Sequence, residues 1–248
     1  MPGPLQLPRV IGHRGAAGCA PENTLAGFRR ARALGCAWVE FDVRLSADRQ
    51  PILLHDDRLE RTTSGRGRAA KLSLSEISRH DAGSWFDPAF ASERVPTLEA
   101  ALAVLEEEGL AANVEVKPAR GQAYETGTIA ADTLARLWPE RGGATLISSF
   151  QPPALAAAKA TAPDLARGLL FRALPRDWRR RAEELDCVSI HLDHRRLSPA
   201  AVAEINSLGY LLLAYTVNDA ARARMLFDWG VASVFSDVPH TILAGIEP

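Results

Sequence analysis

The sequence predicts a single α/β domain built as a (β/α)₈ barrel. Three observations carry that prediction. The chain is 248 residues long, the size at which such barrels close. Short β-rich runs alternate with helical patterns almost from end to end. The main runs number eight, and the segments between them mostly hold a helix-sized crossover. An open doubly wound sheet shares the alternation, so it is the strand count that favours closure.

The strand candidates lie at 10–13, 38–43, 112–116, 145–148, 166–170, 187–190, 211–215 and 234–236. After the first, Pro21-Glu22-Asn23-Thr24 opens a helix that runs to Gly35, a residue suited to the left-handed C-terminal position. A further β-rich run, 51–55, breaks the alternation. Only the residues from Arg44 to Gln50 separate it from the second strand, whereas a parallel crossover takes about a dozen or more. It is therefore expected to return antiparallel, turning between Asp48 and Arg49, which would set His55 opposite Asp42 on the same face. The stretch 56–96 shows little helix and mixes turn formers, Arg61 to Gly67, with Trp85, Phe86 and Phe90. A loop of that length in a compact domain usually has a task, and it is expected to be an insertion capping the barrel mouth. Thr97 and Asn218 are expected caps for helices over 98–108 and 219–229. Ser198 caps a helix with Pro199 in its first turn, and Gly209 closes it. No repeat or low-complexity tract interrupts the chain, so 1–248 is expected to be one domain.

Composition narrows the function classes. Apolar residues make up 47% of the chain, enough for a large core, and the formal net charge is −1. That balance gives no sequence-wide attraction for nucleic acid or acidic membranes, so anion binding must come from local groups. Cys19, Cys36 and Cys187 are odd in number and far apart, which suits neither a disulfide framework nor a zinc spacing. The first residues lack a basic end followed by an apolar run. No stretch reaches the roughly 18 apolar residues of a membrane span. The expectation is a soluble, cytoplasmic protein with a small-molecule substrate, no nucleic-acid partner and no stable membrane association.

Active sites of β/α barrels form at the C-terminal ends of the strands. Reading those ends gives His13-Arg14-Gly15 after the first, Glu40 and Asp42 on one face of the second, His55 on the return arm, and Glu115 with Lys117 on one face of the third. Three carboxylates on one rim repel one another and resist burial without a counter-ion. A hard divalent cation, Mg²⁺ or Ca²⁺, prefers such oxygen ligands. Two histidines beside it suit paired acid and base roles, because an unperturbed imidazole titrates at about 6.5. Arg14 and Lys117 place positive charge where an anionic group would sit, and arginine can grip two phosphate oxygens at once. Together these parts suit phosphoester cleavage better than carbonyl chemistry.

In order and spacing, His13-Arg14-Gly15, Pro21-Glu22-Asn23-Thr24, Glu40-Phe41-Asp42, His55-Asp56 and Glu115-Val116-Lys117 resemble the glycerophosphodiester phosphodiesterase family. So do Arg61-Thr62-Thr63-Ser64-Gly65, Val95-Pro96-Thr97-Leu98, Ser148-Ser149-Phe150, Thr216-Val217-Asn218 and Ser236-Asp237-Val238-Pro239. The likeness runs over about 9–243 and is closest to the small cytoplasmic bacterial members. It implies the barrel of phospholipase-C-like phosphodiesterases, with an insertion after the second strand. It further implies that Glu40, Asp42 and Glu115 bind the metal, that His13 and His55 are the general acid and base, and that Arg14 and Lys117 contact phosphate. Phe150, Tyr215, Trp85 and His191 complete the expected substrate-binding set. The implied products are glycerol 3-phosphate and an alcohol such as choline or ethanolamine. The attacking hydroxyl is water's or the substrate's own glycerol 2-hydroxyl. Tyr215 stands where many relatives have Trp and adds a hydroxyl to the substrate wall, and Ser236 replaces a frequent Thr.

Other features have plainer explanations. His80 is expected to be exposed, and Arg176 to Arg181 a solvated helix face. Ser64 to Arg68 is as consistent with a glycine-rich turn as with a phosphate cradle. His191-Leu192-Asp193-His194 is a loose metal spacing, with His191 expected just past the sixth strand. Two competing functions are a lysophospholipase D-like or inositol phosphodiester-cleaving enzyme, which needs an acyl channel or a wide head-group site, and a non-catalytic binder, which has no use for two histidines. A barrel lyase or isomerase is weaker still, since it needs no leaving-group acid.

Overall fold

A computed structural model of the chain describes residues 5–138 and 144–246. Both ends of the expected domain 1–248, and the opening four residues used in the expectation about leader segments, lie outside the described residues. In chain order the elements are β1 (Val10–Gly12), α1 (Leu25–Ala33), β2 (Trp38–Leu45), β3 (Pro51–Leu53), α2 (Leu74–Ile77), α3 (Leu98–Glu107), β4 (Ala111–Val116), α4 (Ala123–Leu137) and β5 (Thr145–Ser149). They continue with α5 (Pro152–Thr161), β6 (Ala166–Phe171), α6 (Trp178–Glu184), β7 (Ser189–Asp193), α7 (Pro199–Ser207), β8 (Leu211–Tyr215), α8 (Ala220–Trp229), β9 (Ser233–Ser236) and α9 (Pro239–Ile246).

Eight parallel strands run round in the order β1, β9, β8, β7, β6, β5, β4, β2, and β1 pairs with β2 to close the (β/α)₈ barrel. Side-chain alternation gives each strand an inner and an outer face. At the base the inner face is apolar, with Ile11, Trp38, Ala111, Leu146, Leu213 and Phe235 forming one buried plug. Two residues further along the same faces come His13, Glu40, Asn113 and Ser148, so the inner face becomes polar towards the C-terminal ends. The outer faces stay apolar beneath the helices: Val39, Phe41 and Val114 on one side, Ile190, Leu212 and Val234 on the other. Phe28 of α1 meets Phe41 of β2 at 5.2 Å between ring centroids, both fully buried. Burying each ring contributes about 2–3 kcal/mol, which fixes α1 and the Glu22-Asn23-Thr24 turn before it. Thr24 caps α1 by accepting the Gly27 N–H.

β2 outruns β1, whose last pair is Gly12 with Val39, and its freed edge takes β3 antiparallel. The hairpin is as expected but its register is not. Val43 pairs with Leu53 and Leu45 with Pro51, one residue away from the pairing that would put His55 opposite Asp42. The cause is the turn: Ser46 and Gln50 close a three-residue loop centred on Asp48, with Arg49 left-handed at φ 61°. Leu54 N–H now donates to the Asp42 carbonyl, and β3 ends before His55. Arg44 then grips the departing chain, its Nη2 donating to the His55 carbonyl at 2.6 Å.

Three smaller expectations shift. Asp219, not Asn218, caps α8, because both polar atoms of the Asn218 amide are engaged on Ser236 and Asp237. The sixth barrel strand starts at Ser189 rather than 187, since Cys187 N–H still closes the turn after α6 and Asp186 is left-handed. His191 accordingly lies within β7, fully buried. The segment between β3 and α3 carries more structure than the sequence indicates: α2, with a Ser73–Glu76 capping box, and one-turn helices at Ala69–Lys71 and Pro88–Phe90. It has its own small core of Leu59, Ala69, Ile77, Ala82 and Val95 against Ile52 and Leu54.

Candidate active site

Glu40, Asp42 and Glu115 meet at the C-terminal end of β2 and β4, where Asp42 and Glu115 are register partners. All three are buried, and one carboxylate oxygen from each lies within 4.8 Å of the others. The turn after β1 sets the first of them. A Cβ on Gly12 would meet the Gly15 carbonyl at 2.1 Å, and Gly15 itself has φ +88°, so the chain folds back tightly there. That turn aims the Arg14 N–H at Glu40 Oε2, 2.9 Å away. Asn23, left-handed at φ 56°, clips Asp42 from both sides: its Nδ2 donates to Oδ2 at 2.8 Å and its Oδ1 accepts the Asp42 N–H at 3.0 Å. Lys117 Nζ stands 3.3 Å from Asp42 and 3.4 Å from Glu115 Oε1. Glu40 Oε1 and Glu115 Oε1 nevertheless have no hydrogen-bond partner. A buried, all-oxygen donor set in which the Glu40 oxygen is orphaned and the Glu115 oxygen has only the Lys117 ion pair suits a hard divalent cation.

Each expected histidine rests on a carboxylate. His13 Nδ1 lies 2.6 Å from Asp237 Oδ1, and His55 Nδ1 lies 2.6 Å from Asp56 Oδ1. An ionised carboxylate only accepts, so Nδ1 is the donor in both pairs and Nε2 is left to exchange protons. His13 Nε2 is 3.8 Å from Glu40 Oε2. Asp237 is held in turn by Asn218 Nδ2 at 2.7 Å. Asp56 is held by Arg61, which also makes two bonds of 2.8 Å to Glu22, and Glu22 accepts from Arg14 at 2.8 Å. A continuous chain of charge-assisted bonds thus joins Arg14 after β1 to His55 after β3 through residues of the insertion.

These groups line a cavity of about 560 Å³ at the mouth of the barrel. His13, Arg14, Glu40, His55, Glu115 and Lys117 form one side, and Phe150, Tyr215 and His191 belong to the other. Phe150 meets Tyr215 edge-on at 5.9 Å. The Tyr215 hydroxyl, expected on the substrate wall, instead donates to the Phe171 carbonyl at the end of β6, 2.8 Å away. His191 sits in the floor with Nε2 3.0 Å from Ser189 Oγ, and burial pushes its pKa down to about 3, so it stays neutral. Trp85 is not among the lining residues. It is partly exposed on the insertion, donating Nε1–H to the Ala82 carbonyl and packing edge-on against Phe86.

Burial and mutual repulsion make the acidic cluster costly without a cation. Burial raises Glu40 well above the usual carboxylate range, with Asp42 and Glu115 adding to the effect. Burial pushes Glu115 up to about 7 in spite of Lys117. Burial acts against ionised Asp42 as well, but Lys117, Arg14, His55 and the Asn23 bond outweigh it and hold Asp42 well below its ordinary value. A carboxyl whose folded pKa is raised binds its proton more tightly when folded. Its stabilisation is complete below the unfolded value and is lost as pH rises through the folded one. Metal-free protein is therefore expected to lose stability between about pH 4.5 and 7. Denaturant melts with chelator at pH 5 and pH 8 check this. Glu115→Gln should flatten the loss, and a divalent cation should reverse it in the unmodified protein.

Several residues of the site were not assigned a role from sequence. Asn113 lies between the plug and Glu115 on the inner face of β4, its Oδ1 buried and unpartnered. Arg172, Arg195 and Arg196 line the far rim. Asn113, Arg172 and Arg195 continue inner-face series that the period of two makes visible: 111, 113, 115 on β4; 168, 170, 172 from β6; 191, 193, 195 from β7. Glu22, Asn23 and Asp237 stand in the motifs quoted above, and only their partners reveal their tasks.

The model of the glycerophosphoryl diester phosphodiesterase family matches residues 13–241. A glycerophosphodiester phosphodiesterase of Caldanaerobacter subterraneus is 32% identical over 237 residues, which cover 94% of this chain and 96% of that one. A solved phosphodiesterase from Oleispira antarctica, in complex with the product sn-glycerol-3-phosphate, is 42% identical with a TM-score of 0.94 and 98% of each chain covered. The structure of a glycerophosphodiester phosphodiesterase from Agrobacterium tumefaciens is 27% identical at a TM-score of 0.79, covering 96% of this chain and all of that one (100%). Among the described residues no helix is long and apolar enough to cross a membrane.

Proposed function

The chain belongs to the glycerophosphoryl diester phosphodiesterase family, and from that premise we propose that it hydrolyses glycerophosphodiesters, those of choline and ethanolamine among them, to glycerol 3-phosphate and the free alcohol. The observation that carries this reading is the pairing of a buried three-carboxylate cluster, two of its oxygens without a hydrogen bond, with two carboxylate-anchored histidines on one cavity wall. Glu40, Asp42 and Glu115 would hold Mg²⁺ or Ca²⁺, which when bound supplies Lewis-acid polarisation of the phosphoryl oxygens.

The remaining work falls to the chain's own side chains. Arg14 and Lys117 bind the phosphate and share the negative charge that builds on its equatorial oxygens. Burial lowers the His55 pKa, which suits it to take the proton of the attacking oxygen, from water or from the glycerol 2-hydroxyl. As the new O–P bond forms and the bond to the alcohol breaks, His13 protonates the departing oxygen. If the 2-hydroxyl attacks, water then opens the cyclic phosphate with the two histidines exchanging roles. Phe150, Tyr215 and His191 wall the substrate. The insertion over 56–96 contributes Asp56 and Arg61 to the network behind His55. Three free cysteines, two of them buried, suit a reducing cytoplasm.

Following glycerophosphoethanolamine by ³¹P NMR with either ion present tests the reading. The expected products are glycerol 3-phosphate and ethanolamine. Phosphoethanolamine and glycerol would mean the wrong ester bond breaks, and unchanged diester would refute the hydrolase assignment. Asp237→Asn tests the His13 support separately. The amide can donate to Nδ1 and favours the wrong tautomer, so kcat should fall at least about tenfold without a change in melting temperature of more than a few degrees.

A further inference from the structure

The cavity is charged on two sides, and only one of them is accounted for by phosphate and metal. In the ring of eight strands β7 lies four strands from β2 in either direction, so the residues after β7 face the acidic cluster across the mouth. That far rim carries Arg195 and Arg196 after β7, and Arg172 after neighbouring β6. Its one acid, Asp193, is not available to a ligand: Arg195 Nε and Nη2 hold its two oxygens at 2.9 and 2.8 Å. Among the described residues no ion pair engages Arg172 or Arg196, and both are exposed. Two uncompensated guanidinium groups therefore overlook the part of the cavity that a substituent reaches when its phosphate is held by Arg14 and Lys117.

Building on the hydrolase reading above, we propose that Arg172 and Arg196 select diesters whose alcohol carries an anionic group, a carboxylate or a second phosphate. The glycerol moiety is uncharged, so the alcohol is the part of the substrate that can answer this charge. A guanidinium pairs with either anion by parallel N–H···O bonds. A quaternary ammonium meets the opposite situation. The two uncompensated arginines on the rim repel a cation. Arg195 is paired with Asp193 and is not counted as a third contact.

Glycerophosphoserine and glycerophosphoethanolamine differ by one carboxylate and so isolate the effect. At low ionic strength the serine diester is expected to have a kcat/KM about five- to tenfold higher. The double substitution Arg172→Ala/Arg196→Ala should bring the two within about twofold, and Arg172→Glu should reverse the order. Both side chains are exposed, and the milder Arg172→Gln/Arg196→Gln pair serves if the alanine protein does not fold. Equal rates on the two diesters in the unmodified enzyme, or a preference that survives both double variants, would overturn the arginine assignment while leaving the hydrolase reading intact. Turnover of neither diester with metal present would refute that reading itself, and the selectivity with it.

Discussion

Replacing His55 with alanine is expected to lower kcat on a glycerophosphodiester by about 10²- to 10⁴-fold, the usual worth of a positioned general base or acid. Metal affinity should stay within about twofold, because His55 is not part of the carboxylate cluster. The separation follows from how the residue is held. Its carbonyl accepts from Arg44 and its Nδ1–H donates to Asp56, so truncating the ring takes away only a nearby charge from Asp42, which Asn23 and Lys117 still hold. Steady-state kinetics together with calorimetric metal titration on the same preparation checks both halves. A variant that keeps more than about a tenth of the rate would remove His55 from the chemistry.

The second large effect concerns the cluster. Glu40→Ala is expected to weaken divalent-cation binding by about a hundredfold or more, since it deletes one of the three carboxylates proposed to hold the ion. Turnover at a fixed, modest metal concentration should disappear with it, and excess metal should recover part of the rate. The same substitution should make metal-free protein no less stable near neutral pH, because it removes a buried carboxyl whose ionisation burial opposes. Loss of activity without a change in metal affinity would mean that Glu40 serves some other purpose, such as orienting the Arg14 backbone that it accepts from.

The barrel and the main constellation were legible in the sequence because both rest on a period of two. Glu40 with Asp42, and Glu115 with Lys117, share a face by spacing alone, and alternating runs of strand and helix specify the order in which those faces come round. What escaped depends on geometry that spacing does not encode. The hairpin register missed by one residue because Arg49 adopts a left-handed conformation and gives a three-residue loop where the sequence suggests a two-residue one. His55 still comes to the site, carried by the Arg44 grip rather than by strand pairing. Asp237 is 224 residues from its partner His13, and only barrel closure between β1 and β9 brings them together. Trp85 is an aromatic in a loop, a pattern equally compatible with a pocket wall and with packing inside the insertion, and its edge-on contact with Phe86 decides for the latter. The Arg172 and Arg196 rim looks like ordinary surface charge until the ring order puts it across from the carboxylates.

The most direct test of the central claim is to strip the protein with chelator and titrate Mg²⁺ or Ca²⁺ back. Bound metal and glycerol 3-phosphate release from a glycerophosphodiester are recorded on the same samples. Turnover that is absent at the start and rises in step with occupancy is the predicted result. Full turnover in the chelated protein, or saturated metal with no glycerol 3-phosphate, would contradict it.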